Sequence, residues 1–264
     1  MKTKALNIQI ENTGSLTDRG LVRKENQDEI LSTTDTPNGL SVVQAVADGM
    51  GGHKGGSEAS KLAINTLREH CKGFQGNQIK SFLQSVLESA NTKIITKGNN
   101  SKLSGMGTTL TILIFGGSKY YYGHIGDSRA YLFRDEKIIR ITNDHSLVAE
   151  MVKNKEISEK EARNHPQRNV ITKALGINHN IVPDIHEGKI KTGDKFLICS
   201  DGLHGLVSDQ EIKNIVNKYE PKEACKRLVK KAKSNGGHDN ISVVIASTKN
   251  KNTIKNLLRK ILPI

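Results

Sequence analysis

Tryptophan is absent from the 264 residues, and phenylalanine and tyrosine number five each. So few aromatics provide no platform on which successive bases could stack, so the net charge of +13 does not by itself indicate a nucleic-acid partner. Cysteine is scarce too. Cys71, Cys199 and Cys225 are an odd number with no CxxC pair, which speaks against a disulfide framework and against a thiolate zinc site, and favours a reducing, cytoplasmic setting. Five prolines and 35% hydrophobic residues exclude a collagen-like or disordered chain. No apolar run approaches the roughly 18 residues of a membrane-spanning helix, the best being Leu110-Thr111-Ile112-Leu113-Ile114-Phe115. Near the N-terminus, Asn7, Gln9 and Glu11 interrupt the apolar residues, a strand pattern rather than a secretory leader.

The positive charge is uneven. Residues 213–264 carry 13 Lys and Arg against Glu220, Glu223 and Asp239, a balance of +10, which leaves +3 for residues 1–212. The block is read as the solvated faces of two ordinary helices, and no nucleic-acid partner is expected. Beyond residue 247, Ile254, Leu257, Leu258, Ile261 and Leu262 recur at helical spacing, with Lys255, Arg259 and Lys260 opposite. That makes 248–264 a basic amphipathic extension to a domain of 1–247. Docking of this helix on its own domain is favoured over contact with a membrane surface.

Alternation and β-branched content predict strands at 6–11, 41–47, 109–115, 120–125, 130–134, 137–141, 195–200 and 241–247. Several are separated by turn-sized gaps, so much of the pairing should be antiparallel. Apolar spacing predicts helices at 57–72 and 77–97. Further helices are expected at 208–219, where Ser208 can cap with Glu211 three residues on, and at 221–233, which starts at a proline. Residues 145–165 read as one or two short helices. The pattern as a whole is that of one α+β domain of sheets covered by helices.

The acids are the informative feature. The strand at 41–47 runs directly into Asp48-Gly49, the strand at 195–200 into Asp201-Gly202, and Asp239 directly precedes the strand at 241–247. Asp127 lies in the turn Gly126-Asp127-Ser128-Arg129. If the last strand runs antiparallel to the other two, three carboxylates project from one rim, as oxygen ligands converging on hard divalent cations would. A single Asp-Gly is a common turn; several independent strand-end acids are less easily dismissed. No GxxxxGK[ST] loop, HExxH helix or GxSxG elbow offers a competing chemistry.

Arg23-Lys24-Glu25-Asn26-Gln27-Asp28, Asp48-Gly49-Met50-Gly51-Gly52-His53, Gly107-Thr108-Thr109, Gly126-Asp127-Ser128-Arg129, Ser200-Asp201-Gly202-Leu203 and Asp239-Asn240-Ile241-Ser242 occur in that order. Together they resemble the metal-dependent serine/threonine protein phosphatases of the PP2C (PPM) type, in their bacterial form, over residues 9–247. The resemblance implies a four-layer α-β-β-α sandwich, two stacked antiparallel sheets flanked by helices, with a centre for two or three Mn²⁺ or Mg²⁺ ions at one end. It implies that Asp48 bridges two metals, Gly49 lends its carbonyl, Asp201 and Asp239 hold the first metal, and Asp28 supports the site through bound water. Arg23 corresponds to the arginine that clamps the substrate phosphate, Asp127 with Asp201 to a third-metal site, and 145–183 to the flap. The implied chemistry is hydrolysis of phosphoserine and phosphothreonine by metal-activated water, opposing a Ser/Thr kinase. A monomer is expected, and a non-catalytic phosphoprotein-binding module on the same fold is the alternative.

Two departures stand out. Met50 occupies the place where many eukaryotic members carry a histidine proton donor, which leaves the general acid unassigned; His53 is weighed for it against a loop role. Gln27 replaces a glutamate, removing one indirect ligand. No Asp occurs between Asp144 and Asp184, so a flap acid serving a third metal would have to be Glu.

Overall fold

Strands that are apolar at every position, rather than at alternate ones, have to be covered on both faces. Val243 to Ala246 is of this kind, as are Val42 to Ala47 apart from Gln44 and Leu110 to Phe115 apart from Thr111, and every one of these residues is buried. A computed structural model describes residues 9–34, 40–51, 55–76, 78–100 and 103–248. In chain order its elements are β1 (Ile10–Asp18), β2 (Asp28–Thr33), β3 (Val42–Met50), α1 (Gly55–Gly73), α2 (Ile79–Asn99), β4 (Gly107–Thr108), β5 (Leu110–Gly116), β6 (Lys119–Ile125), β7 (Arg129–Arg134) and β8 (Lys137–Arg140). There follow α3 (Leu147–Lys153), α4 (Glu159–Asn164), β9 (Asp184–Lys189), β10 (Lys195–Cys199), α5 (Asp201–His204), α6 (Asp209–Lys218), α7 (Pro221–Ser234) and β11 (Ile241–Thr248).

The strands form two antiparallel sheets. One has the order β1-β11-β10-β7-β8, the other β2-β3-β5-β6-β9, with β4 added to β3. Period-two alternation sorts their side chains into three apolar layers. Val43, Ala45, Ile112 and Ile114 face α1 and α2, with Ala63, Leu67, Leu83 and Leu87 opposite them. Leu197, Val243 and Ile245 face α6 and α7 through Ile212, Val216 and Leu228. Val46, Leu113, Phe115, Phe196, Ile198 and Val244 fill the space between the sheets. Phe115 and Phe196 meet there edge to face at 5.0 Å. The architecture is the expected α-β-β-α sandwich.

Local signals hold where they were strongest. Ser208 accepts from the Glu211 N–H while Glu211 reaches back to the Ser208 N–H, closing the capping box, and Pro221 opens α7. Residues 145–165 form two short helices, α3 and α4. The differences lie at the sheet margins. The first strand is Ile10–Asp18 rather than 6–11, of which residues 6–8 lie outside the described residues, and β2, β4 and β9 carried no strand prediction. The C-terminal extension and His53 also lie outside the described residues.

Pairing fixes which strand ends meet. β11 runs antiparallel to β10, with Cys199 opposite Val243, so the residues after β10 and before β11 share an end. In the other sheet β2 pairs with β3 in a register that sets Asp28 directly opposite Asp48.

Candidate metal centre

At that end of the sandwich a cavity of about 410 Å³ is lined by Asp48, Gly49, Asp127, Asp201, Asp239 and Arg23. Six of the seven residues singled out from the sequence thus meet at one place. The seventh, Asp28, lies just behind, buried on the same face of the sheet as Asp48 because directly paired residues share a face.

Asp48 is held by its backbone: its carbonyl accepts from the Thr109 N–H and the Thr108 hydroxyl, both at 2.9 Å, and its N–H donates to Thr109 Oγ1 at 3.0 Å. At Gly49 the chain passes so close to α1 that a Cβ would stand 2.2 Å from the Gly56 carbonyl oxygen, so only glycine fits. Asp28 links the sheets. Ser200, at the end of β10, donates its hydroxyl to Asp28 Oδ2 at 2.8 Å and accepts from the Ser242 N–H at 2.9 Å. Asp127 follows Gly126, whose φ is +113°, and its carbonyl accepts from His204 Nε2 at 3.0 Å. Burial lowers the His204 pKa to about 3, so the ring is neutral at ordinary pH.

Arg23 sits at the cavity mouth, its Nη2 2.6 Å from Asp239 Oδ2. Its side chain is 54% exposed. Asn240 fastens the loop that carries it: its side-chain carbonyl accepts from the Gln27 N–H at 2.8 Å, and its amide donates to the carbonyls of Arg19 and Glu25, both at 2.9 Å. Ser200, Ser242 and Asn240 all sit inside the recognised stretches, yet sequence reasoning gave them no role. Their signal was only a small polar residue beside each strand-end acid.

The electrostatics are those of clustered negative charge, with Arg23 paired to Asp239 at the mouth. Burial above all, helped by Asp201 and Asp239 and opposed by the Ser242 and Ser200 hydroxyls, pushes Asp28 up to about 7. Burial and Asp239 push Asp201 up to about 6. Asp48, surrounded by Asp28, Asp201, Asp127 and Asp239, and Asp127, beside Asp201 and Asp144, are buried and raised well above the carboxylate range. Buried polar atoms without partners are rare because each costs about 1–3 kcal/mol. Asp28 Oδ1, Asp127 Oδ1 and Asp201 Oδ1 are three of them.

That is the test of fit for divalent cations, and the residues pass it. An all-oxygen, multiply anionic cradle suits hard ions such as Mn²⁺ or Mg²⁺, and the partnerless carboxylate oxygens are the missing contacts. As the side chains stand, no three His, Cys, Asp or Glu among the described residues already form a closed cage.

Comparison with known proteins agrees with the fold. Residues 22–246 match the protein phosphatase 2C family. The serine/threonine protein phosphatase PstP of Mycobacterium tuberculosis is 38% identical over 230 residues, 87% of this chain but only 43% of that protein. The serine/threonine phosphatase stp of Listeria innocua is 34% identical over 252 residues, 92% of this chain and 96% of its own length. The crystal structure of the PstP catalytic domain in complex with two manganese ions superposes with a TM-score of 0.82 at 34% identity, covering 90% of this chain and 98% of that one. The strand-end aspartates thus stand on a shared scaffold, and the chain belongs to the protein phosphatase 2C family.

Proposed function

We propose that this protein hydrolyses phosphoserine and phosphothreonine in proteins with the help of divalent cations, as the counterpart of a Ser/Thr kinase. The observation that carries the reading is the convergence of four aspartates on one cavity, with buried, partnerless carboxylate oxygens on Asp127 and Asp201 and, just behind them, on Asp28. Asp48, the Gly49 carbonyl, Asp201 and Asp239 would hold two Mn²⁺ or Mg²⁺ ions, and Asp127 with Asp201 a third. Ions so held supply positive charge that acidifies an attacking water and offsets charge on the phosphoryl oxygens.

The chain's own groups do the rest. Asp28, fixed by Ser200, steadies the ligand end of β3 and accepts from water beside it. Arg23 uses one guanidinium nitrogen on Asp239, leaving its other N–H donors for a phosphate at the cavity mouth. Ile171 and Asn169, from the 145–183 flap, line the same cavity and would meet the protein substrate. The phosphatase domain is assigned to 1–247.

The test is phosphate release from a phosphothreonine peptide, first with Mn²⁺ and then with excess chelator. Release that requires Mn²⁺ is expected. No release from folded protein at any metal concentration would replace this reading by phosphoprotein binding without turnover.

A further inference from the structure

The flap and the Asp127 turn meet on one residue, His145, the first of the flap. Its backbone N–H donates to the Gly126 carbonyl at 2.8 Å, and its ring Nδ1 accepts from the Gly126 N–H at 3.1 Å, so one residue grips both polar groups of Gly126. Gly126 needs holding. Its φ is +113°, and a Cβ there would stand 2.5 Å from the Thr109 side chain. The next residue presents a buried carboxylate oxygen without a partner, Asp127 Oδ1.

On its other side His145 joins the flap. Its carbonyl accepts from the Thr172 N–H at 2.8 Å, Ser146 bridges to Ile171, and the Leu147 N–H donates to the Val170 carbonyl at 2.9 Å. Ile171 lines the cavity. The ring is fixed as well: it stacks on His124 at 4.9 Å and turns Nε2 toward Asp184 Oδ2 at 3.5 Å. Because a backbone N–H occupies Nδ1, the proton must sit on Nε2.

We propose that His145 is a positioning residue that ties the flap to the Asp127 turn, so that cation binding at Asp127 and the placement of the flap over the cavity are coupled. The inference rests on the assignment of Asp127 as a cation ligand made above. A turn held from both sides by one residue cannot shift unless that residue shifts, and His145 cannot shift without moving residues 170–172. Coupling of this kind is reciprocal.

The acceptor at Nδ1 separates this role from mere ring packing. H145N keeps an acceptor where Nδ1 stands, whereas H145Q carries its amide out to the Nε2 position. Titration of metal-free protein with Mn²⁺ by calorimetry should leave H145N at wild-type affinity and weaken the weakest site of H145Q by about 10- to 100-fold, the usual range for a partner behind a ligand. Trypsin should cut faster after the exposed Arg168 and Lys173 of the flap in H145Q and not in H145N. Equal affinity and equal proteolysis in the two variants would overturn the proposal. Should H145Q fail to fold, ring ¹⁵N shifts of the wild-type protein decide: an unprotonated Nδ1 with protonated Nε2 is required, and the opposite tautomer overturns it. Wild-type protein that binds no Mn²⁺ would instead sink the metal-centre reading beneath it.

Discussion

The two ends of β10 are each flanked by an aspartate, and the chain treats them in opposite ways. Asp194, just before the strand, is 1% exposed and fully engaged: Arg134 donates to its two oxygens at 2.9 and 2.6 Å, and the Lys191 N–H donates at 2.6 Å. Asp201, seven residues later, has an oxygen with no partner and a pKa pushed up to about 6. The same contrast separates Asp144, which Arg129 holds by three contacts of 2.6–3.0 Å and keeps below the ordinary carboxylate range, from its neighbour in space Asp127. A carboxylate that serves the fold is given its cation by the sequence. Carboxylates left without one mark where a cation is to come from solution.

The contrast breaks most sharply by exchange of function for stability at those two ends. Asp201→Asn should abolish phosphopeptide turnover even with saturating Mn²⁺, while the metal-free melting temperature stays the same or rises, since one repelling charge is gone. Turnover retained in a metal-saturated assay would remove the two-metal assignment. Arg23→Ala should raise KM by about ten- to a hundredfold with kcat little changed, the scale of one or two charge-assisted hydrogen bonds to phosphate; steady-state kinetics with an unchanged KM would contradict the clamp. Asp194→Ala is the converse case. Urea unfolding should show a loss of roughly 1–3 kcal/mol, because Arg134 and the Lys191 N–H lose their acceptor, while kcat per folded molecule is unchanged.

The smallest effect is a slope with pH. Asp28, near 7 in the fold, is raised above its unfolded value, so the stability linked to its protonation is present at low pH and lost as pH rises through 7. His124, lowered to about 4 by burial, acts in the opposite sense below 6.5 and is spent above it. Metal-free protein should therefore melt at lower temperature as pH goes from 6.5 to 8, and Mn²⁺ should flatten or reverse that slope. A metal-free melting curve flat across this window would mean that Asp28 is not strained.

The acids were legible because each stands where a strongly apolar run stops, and a strand interior announces itself by burial on both faces. Gly49 and Arg23 were legible only through the ordered stretches around them. What escaped were strands with too little apolar pattern. β1 (IENTGSLTD), β2 (DEILST) and β9 (DIHEGK) all lie at sheet edges, where half the ladder and much of each face meets water. α5 escaped because four residues leave no period to detect. The supporting hydrogen bonds of Ser200, Ser242 and Asn240 depend on which strand ends meet across two sheets, a fact of topology that no local window contains. His145 went the same way. Only the fold shows that both the Asp127 turn and the flap close on it.

The pairing of Asp28 with Asp48 has a consequence for how this chain tolerates insertions and deletions. Side chains in a strand alternate faces with a period of two, so loss or gain of a single residue within β2 or β3 would turn one of these carboxylates out of the sandwich while leaving the hydrophobic count almost the same. The connection between the two strands is under no such rule. Length variation should thus be admitted more readily between Thr33 and the buried Leu40 than within either strand, so the site constrains the spacing of the chain as strictly as its composition.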